Sequence, residues 1–270
     1  MLTPPRDIQT FTLLGDLNDL ARQSHTMLVA ELARWDSLPH SCLKPGESRS
    51  VWRITTSTEI VTLKCRRHTI GNRLRNLVQR TPLHREIRGS EFLKRDGIAT
   101  VTPLALYSGQ GVHCLALRHV PGRTLLECIA DSTLSASARL EIAQAVGTQL
   151  VQIGRAGICN RDHKPSNLIV DETVKGGPLI TVIDPAGIFQ SPVPGCGMPH
   201  MLASLFIEPT GCGVPPNKRD IVRVVRAVFK RGKFAHWKSV RDLLGAARDI
   251  VMQHGDPTPA VNPLAQGARG

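Results

Sequence analysis

The sequence predicts an α+β protein with two lobes, in which an antiparallel sheet precedes a mainly helical half. Short runs rich in β-branched residues, separated by turns, occupy much of residues 50–117, and amphipathic helical patterns dominate from residue 124 onward. Strands followed by helices are typical of α+β proteins. The chain has 270 residues, of which 41% are hydrophobic, so it is long enough to form two packed lobes.

The first lobe is predicted over residues 43–120 and contains two hairpins. Ser50–Thr55 and Glu59–Lys64 form the first predicted hairpin, and Pro103–Tyr107 and Val112–Leu117 form the second. A helical pattern fills about residues 73–96, with a break near Thr81 and Pro82 and a stop at Gly97.

An N-terminal helical extension is predicted over residues 1–42, because leucines recur at helical spacing between residues 12 and 36. The second lobe is predicted over residues 121–254. Its expected elements are helices at 124–130, 135–156, 199–207, 218–230 and 235–253, strands at 167–170 and 179–183, and an irregular stretch rich in Gly and Pro before the last three helices. Residues 255–270 contain three prolines and little apolar surface, which predicts a mobile tail.

The chain is strongly basic, with a net charge of +12, and this predicts an anionic partner. Residues 64–95 carry ten Lys or Arg against two Glu, a local net charge of +8. Arg219, Arg223, Arg226 and Lys230 share one face of a predicted helix. A solvated face is the plainer interpretation, and contact with anionic lipid is an addition to it. Aromatic residues are only 4% of the chain, so no specific nucleic-acid partner is expected.

Cysteine usage and hydropathy predict a cytoplasmic protein, with peripheral contact to the inner membrane face as an extension. The seven cysteines form no Cys-x-x-Cys pair, which fits reduced thiols. The first residues contain no apolar run of signal-peptide length. Residues 185–207 are uncharged, but their four prolines and three glycines argue against a membrane-spanning helix.

The strongest motif is Asn160-Arg-Asp162-His-Lys164-Pro-Ser-Asn167, which follows a long helix and precedes a β-branched strand. Asp184 follows at the end of the next predicted strand, within Asp184-Pro-Ala-Gly187. The motifs resemble those of the protein-kinase superfamily, in which His-Arg-Asp-x-x-x-x-Asn is the catalytic loop and Asp-Phe-Gly binds metal.

This resemblance implies a protein-kinase-like fold and phosphoryl transfer from ATP with Mg²⁺ as cofactor. A carboxylate must orient the attacking hydroxyl and accept its proton, and oxygen ligands must hold magnesium against the phosphates. Asp162 fits the first role, and Asn167 and Asp184 fit the second. Lys164 can neutralise charge that develops on the transferred phosphoryl group. A coincidental polar turn is the competing interpretation.

Three further features extend the predicted ATP site. Lys64 ends a predicted strand and matches the kinase lysine that pairs with the α- and β-phosphates. Its partner is expected on the following helix, where Glu86 is preferred and Glu91 stays open. Gly46 and Ser48, in the turn before the first hairpin, match the phosphate-covering loop weakly, because only one glycine is present.

Residues 43–230 resemble the bacterial lipopolysaccharide kinase family (Kdo/WaaP-type), whose members phosphorylate sugars of the lipopolysaccharide core. The matching segments are Val51–Arg53, Leu63–Lys64, Arg85–Glu86, Gly97–Pro103 and Met201–Leu205. The resemblance implies a sugar or glycolipid acceptor.

Two departures from the kinase pattern leave alternatives open. Asn160 replaces the usual His, and Pro185 replaces Phe; the proline stiffens the segment, which predicts a constitutively assembled site. A Ser/Thr protein kinase is favoured by Lys164 and opposed by the missing Ala-Pro-Glu motif. A pseudokinase or binding module is favoured by the two departures and by the single glycine at Gly46.

Overall fold

The computed structural model describes residues 1–14, 19–67, 81–191, 193–235 and 237–267, with the backbone alone for residues 19–25, 266 and 267. The helix predicted over residues 73–80, with three of the ten clustered basic residues, lies outside these ranges. The chain folds into two compact units. The first consists mainly of Met1–Ile87 and Val101–His119, and the second of Arg88–Thr100 and Val120–Ala265.

The first unit is built on an antiparallel sheet of six strands. They are β1 (Thr10–Leu13), β2 (His40–Lys44), β3 (Arg49–Thr55), β4 (Ile60–Arg67), β5 (Pro103–Gly109) and β6 (Val112–Arg118). Their order is β1-β5-β6-β4-β3-β2. Both predicted hairpins are confirmed, since β3 pairs with β4 and β5 with β6. The second hairpin turns at Gln110 and Gly111, whose φ angles of 51° and 74° fit a two-residue type I′ turn.

One face of this sheet forms the core of the first unit. Along β4, Val61, Leu63 and Cys65 are buried, and the alternation of side chains places Lys64 on the other face. The core also contains Leu28 and Leu32 of helix α1 (Asp19–Ala33). Together these residues make a packed apolar support behind the strand that carries Lys64.

The N-terminal extension is only partly helical, which corrects the prediction for residues 1–42. Thr10–Leu13 pairs with β5 as an edge strand, and helix begins only at Asp19. The alternation Thr-Phe-Thr-Leu suits a short strand, whereas the leucines that follow it suggested a helix. Two indole N–H groups hold the residues before β1: that of Trp35 donates to the Pro4 carbonyl at 3.0 Å, and that of Trp52 donates to the Leu2 carbonyl at 3.2 Å.

The second unit is mainly helical, and the boundary between the units falls within helix α2 (Pro82–Arg95). Its other helices are α3 (Leu125–Ala130), α4 (Ala136–Arg155), α5 (Met198–Gly211), α6 (Lys218–Gly232) and α7 (Val240–His254). Its strands are β7 (Arg123–Thr124), β8 (Ile158–Asn160), β9 (Leu168–Asp171), β10 (Leu179–Val182) and β11 (Ile188–Gln190). They form a three-stranded sheet, β10-β9-β7, and a β11-β8 pair.

Helix α4 is the centre of the second unit's core. Ser135 caps its first turn by accepting a hydrogen bond from the Ala138 amide at 3.1 Å, and the chain leaves the helix at Gly157, whose φ is +66°. Its packing against α6 is close, because a Cβ on Gly147 would lie 2.6 Å from the Cβ of Ala227. The end of α4 therefore leads into β8 from a fixed position.

The stretch after Asp184 that was expected to be irregular contains β11, and the helix predicted at 199–207 is confirmed as α5. The last long helix begins at Val240 rather than near residue 235, and the tail predicted to be mobile includes a short helix, α8 (Pro263–Gly267). The domain boundaries at residues 42, 120 and 254 stay predictions, as does the two-lobed arrangement. Within the described ranges, no helix combines the length and the apolar character needed to span a membrane.

Candidate active site

Lys64 and Glu86 form an ion pair in the first unit. The Glu86 side chain is 4% exposed and that of Lys64 is 18% exposed, so the pair is largely removed from water. Of the two partners that the sequence left open, Glu86 makes the contact, while Glu91 is exposed. A carboxylate this deeply buried requires a positive partner, because an uncompensated buried charge is costly. The pair therefore fixes the direction of the Lys64 ammonium.

Gly46 and Ser48 lie in the turn between β2 and β3. A Cβ on Gly46 would lie 2.3 Å from the carbonyl oxygen of Arg49, so the turn folds tightly at this glycine. Its carbonyl accepts a hydrogen bond from the Leu2 amide at 2.7 Å, and the Ser48 carbonyl accepts one from the Arg67 amide at 2.9 Å. These contacts hold the turn against both the N-terminal segment and β4.

Asp162 and Lys164 lie in the loop after β8, in the second unit. The Lys164 Nζ is 3.1 Å from Asp162 Oδ1, and the two side chains are 39% and 42% exposed. Asn160, which is fully buried, accepts a hydrogen bond from the Asp162 amide at 3.1 Å through Oδ1. The residue that replaces the usual His thus supports the loop backbone, and Asp162 stays accessible to a substrate.

Asn167 closes this loop. Its side-chain amide donates to the Asp162 carbonyl at 3.0 Å, and its backbone amide donates to the Lys164 carbonyl at 2.9 Å. Because Nδ2 is committed to the loop, the side-chain Oδ1 is the atom of Asn167 suited to bind a cation. The role of Asn167 as an oxygen ligand stays a prediction.

The hairpin of β9 and β10 brings Asn167 and Asp184 to the same end. Leu168 pairs with Val182, and the Ile183 amide donates to the Asn167 carbonyl at 2.9 Å. Asp184 follows directly, where the chain turns into the short helical turn Pro185–Gly187. An amide oxygen and a carboxylate at one hairpin end are hard oxygen donors of the kind that Mg²⁺ prefers.

No group of three or more His, Cys, Asp or Glu that could hold a metal occurs in the described part of the chain. Magnesium does not need such a group, because proteins hold it through one or two carboxylates while substrate phosphates and water complete its shell. The donor types of Asn167 and Asp184 therefore fit the predicted cofactor.

The turn after Asp184 is packed closely against its neighbours. A Cβ on Gly187 would lie 3.0 Å from the Asp162 amide nitrogen, and one on Gly89 in α2 would lie 2.0 Å from the Pro185 carbonyl oxygen. The Gly187 carbonyl also accepts a hydrogen bond from the Arg161 amide at 3.1 Å. A side chain at residue 187 would therefore press against the loop that contains Asn160 and Asp162.

His163 is buried beside Asp162, and burial lowers the pKa of its imidazole from 6.5 to about 4. The His163 Nδ1 is 3.5 Å from the side-chain nitrogen Nδ2 of Asn160. The side chain is therefore neutral at pH 7 and is part of the structure of the loop.

Sequence reasoning missed Glu208, which binds this loop from α5. Its carboxylate accepts hydrogen bonds from the Ser166 amide at 2.7 Å and from the Ser166 hydroxyl at 2.6 Å. One feature of the sequence could have identified Glu208: it is the single acidic residue between Asp184 and Asp220. A lone carboxylate in an otherwise uncharged helix indicates a specific partner.

The structure thus combines an antiparallel six-stranded sheet with a mainly helical unit, and this is consistent with a kinase-like fold. A comparison with known protein families finds no match, and neither does a search of curated protein sequences. Among solved structures, the chain is similar to WaaP in complex with acyl carrier protein, with a TM-score of 0.59 and 16% sequence identity. The similarity covers 91% of this chain and 99% of that one. At this identity it shows the fold alone, and the fold is WaaP-like.

Proposed function

We propose that the protein is an ATP- and Mg²⁺-dependent kinase that phosphorylates a hydroxyl group of a sugar or glycolipid. The observation that carries the proposal is the pair of arrangements described above. One unit holds Lys64 against a buried Glu86, and the other places Asp162, Asn167 and Asp184 around one hairpin end. We further propose that Lys64, Asp162, Asn167 and Asp184 are all required for this reaction.

Asp162 is the proposed base. Its exposed carboxylate would accept the proton of the attacking hydroxyl as the oxygen bonds to the γ-phosphorus. Lys164, 3.1 Å from that carboxylate, would offset negative charge on the transferred group. The loop contacts made by Asn160 and Asn167 keep the Asp162 backbone in place.

The remaining groups would bind the nucleotide. Asn167 and Asp184 would hold magnesium, which when bound neutralises the phosphates and the charge on the leaving oxygen. Lys64, directed by Glu86, would contact the α- and β-phosphates. Gly46 and Ser48 would cover the phosphates from the turn between β2 and β3.

A sugar of the lipopolysaccharide core is the proposed acceptor. Two independent observations support it. The motifs of residues 43–230 resemble the Kdo/WaaP-type family, and the structure has a WaaP-like fold. We therefore propose that the protein belongs to that family.

Contact with an anionic membrane surface is the proposed means of reaching such an acceptor from the cytoplasmic side. On α6, Arg219, Arg226 and Lys230 are exposed, and Arg223 is half-buried and bound to Asp220 at 2.9 Å. Val225 and Val228 on the opposite side of the helix are buried. Each exposed base near an anionic surface contributes about 1 kcal/mol of attraction, so three of them would produce salt-sensitive binding.

Cosedimentation with vesicles tests this contact. Vesicles of phosphatidylglycerol and phosphatidylcholine should bind the wild-type protein at low salt, whereas pure phosphatidylcholine should not. Arg219→Glu combined with Arg226→Glu should abolish the binding. Equal binding of the wild type and this variant would contradict the proposed contact between α6 and the membrane surface.

A Ser/Thr protein kinase is the second candidate, and Lys164 favours it because it stands where Ser/Thr kinases carry a lysine. Against it, α5 occupies the sequence in which a long activation segment would lie. A pseudokinase is the third candidate. The support that Asn160 provides to the Asp162 amide argues for a maintained catalytic loop.

Mass spectrometry of acceptors after incubation with ATP and magnesium tests the proposal. Core oligosaccharides and their lipid-linked forms should gain one phosphate with the wild-type protein, and generic protein acceptors should not. Asp162→Ala and Asp184→Ala should abolish the product. Asp171→Ala is the matched control, because Asp171 lies on the same hairpin and caps Thr173.

Three outcomes would decide between the candidates. Phosphorylated protein without phosphorylated sugar would favour the second candidate. Tight nucleotide binding without any product would favour the third. A sugar product that survives Asp162→Ala unchanged would overturn the proposal.

A further inference from the structure

The contact between Glu208 and Ser166 joins the candidate catalytic loop to a helix of the core. Ser166 lies between Lys164 and Asn167, in the helical turn Pro165–Asn167. Both oxygens of the Glu208 carboxylate are used, one by the Ser166 amide and one by its hydroxyl, at 2.7 and 2.6 Å. Hydrogen bonds to an ionised acceptor are roughly twice as strong as neutral ones.

Helix α5 provides a rigid base for this carboxylate. Its residues Met198, Met201, Leu202 and Leu205 are buried in the core of the second unit. Pro209, directly after Glu208, is buried as well. Glu208 is therefore held at the loop by packed neighbours, although its own side chain is only half-buried.

The loop itself is short, and each of its contacts bears on the candidate catalytic groups. Only four residues lie between Asp162 and Asn167, and Asn167 bonds back to the carbonyls of Asp162 and Lys164. A shift of Ser166 would therefore move Asn167 on one side and Lys164 on the other. Small displacements of reacting groups reduce rates strongly, by about 100-fold for about 1 Å.

We propose that Glu208 is a positioning residue, which fixes the spacing of Asp162, Lys164 and Asn167 by holding the backbone and side chain of Ser166. The proposal rests on the proposed kinase function and goes beyond it, because Glu208 contacts neither reacting group. It also provides this chain with an acidic anchor although no Ala-Pro-Glu motif follows Asp184.

The test compares Glu208→Gln, Glu208→Ala and Ser166→Ala with controls in the same unit. The chain offers a matched surface pair on α4, in which the Ser137 hydroxyl donates to Glu141 at 3.1 Å. Glu141→Gln, Glu141→Ala and Ser137→Ala change the same groups away from the loop. All variants are measured for kcat, for the KM of ATP, and for melting temperature.

For Glu208→Ala we expect kcat to fall by about 10- to 100-fold, the range for partners that orient a reactive group. The KM of ATP should change less than kcat does, since Lys64 and Asp184 are untouched and only Asn167 among the proposed nucleotide ligands shifts. Ser166→Ala keeps the backbone hydrogen bond and should lose less. A variant that combines Glu208→Ala with Ser166→Ala should lose no more activity than Glu208→Ala alone, because both changes remove the same interaction. The Ser137 and Glu141 variants should behave as the wild type does.

Hydrogen–deuterium exchange makes the result independent of activity. The amides of residues 162–167 should exchange faster in Glu208→Ala and in Glu208→Gln than in the wild type, with unchanged exchange in α4. If the wild type transfers no phosphate, the kinase proposal fails, and this exchange still decides the role of Glu208. Unchanged kcat together with unchanged loop exchange would overturn the inference.

Discussion

The two units hold their candidate catalytic groups in opposite ways. In the first unit, the ion pair of Lys64 and Glu86 is largely buried and is supported by a regular, apolar sheet. In the second, Asp162 and Lys164 are about 40% exposed on an irregular loop that hydrogen bonds from and to Asn160 and Asn167 hold in place. This difference predicts that changes in the two units have different effects on stability and on activity. The buried pair should matter for both, whereas the exposed groups should matter for activity alone.

Asp162→Ala tests the exposed side of the comparison and has the largest expected effect. Loss of a general base lowers rates by roughly 10²- to 10⁴-fold, so kcat should fall by about that factor. Because the side chain is 42% exposed, the free energy of unfolding should change by less than about 1 kcal/mol. Steady-state kinetics and urea unfolding on the same preparation check both statements. A large loss of stability would place Asp162 in a structural role.

Lys64→Met tests the buried side. Removal of one partner from a buried ion pair costs about 3–5 kcal/mol, because Glu86 keeps a charge without its compensation. The free energy of unfolding in urea should fall by about that amount, and activity should fall as well. Arg118→Met is the control, since Arg118 pairs with Glu59 at 2.7 Å in the same unit but is 58% exposed. Its cost should stay below about 1 kcal/mol. Equal costs for the two variants would remove the contrast between the units.

Gly187→Ala sharpens the comparison within the second unit. A methyl group there would lie 3.0–3.2 Å from the Asp162 amide and from Asn160, so the loop must shift by a few tenths of an ångström. We expect kcat to fall by about tenfold or more. Gly245→Ala in α7 is the control, because a Cβ at that position meets nothing within 4 Å. It should leave kcat unchanged and stabilise the helix by about 0.5–1 kcal/mol.

The pH dependence of stability gives the smallest effect. Burial lowers the pKa of His163 from 6.5 to about 4, so below pH 6.5 the unfolded chain takes up a proton that the folded chain does not. The free energy of unfolding is therefore unaffected by His163 above pH 6.5. It decreases as the pH falls from 6.5 towards 4, by up to about 1.4 kcal/mol per pH unit. Urea unfolding between pH 7 and pH 4.5 should show this slope in the wild type and a weaker one in His163→Gln. Identical slopes would exclude His163 as its source.

Much of the second unit could be predicted because its motifs are local. The loop 160–167 and Asp184 are joined by one hairpin, and the resemblance of their motifs to those of kinases predicted that they lie together. The pair of Lys64 and Glu86 was predictable as a choice between two glutamates, and burial of the helix face decided it. Local pattern also located both hairpins of the first unit.

The features that escaped prediction depend on distant packing. Thr10–Leu13 forms a strand by pairing with the edge of β5, which lies 92 to 98 residues later in the sequence: Thr12 pairs with Leu106 and Leu13 with Ala105. The contact of Glu208 with Ser166 joins residues 42 positions apart. Such contacts are set by tertiary structure, which short sequence windows do not contain.

The central claim is that the protein binds a magnesium–nucleotide complex and that Asp184 and Lys64 are both needed for it, and calorimetric titration with ATP tests this most directly. The wild type should bind ATP at least tenfold more tightly with magnesium than without it. Asp184→Ala should lose this difference. Lys64→Arg, which keeps a positive charge beside Glu86, should weaken binding of the magnesium complex about tenfold while the protein stays folded. Magnesium-independent binding in the wild type, or unchanged affinity in both variants, would contradict the account.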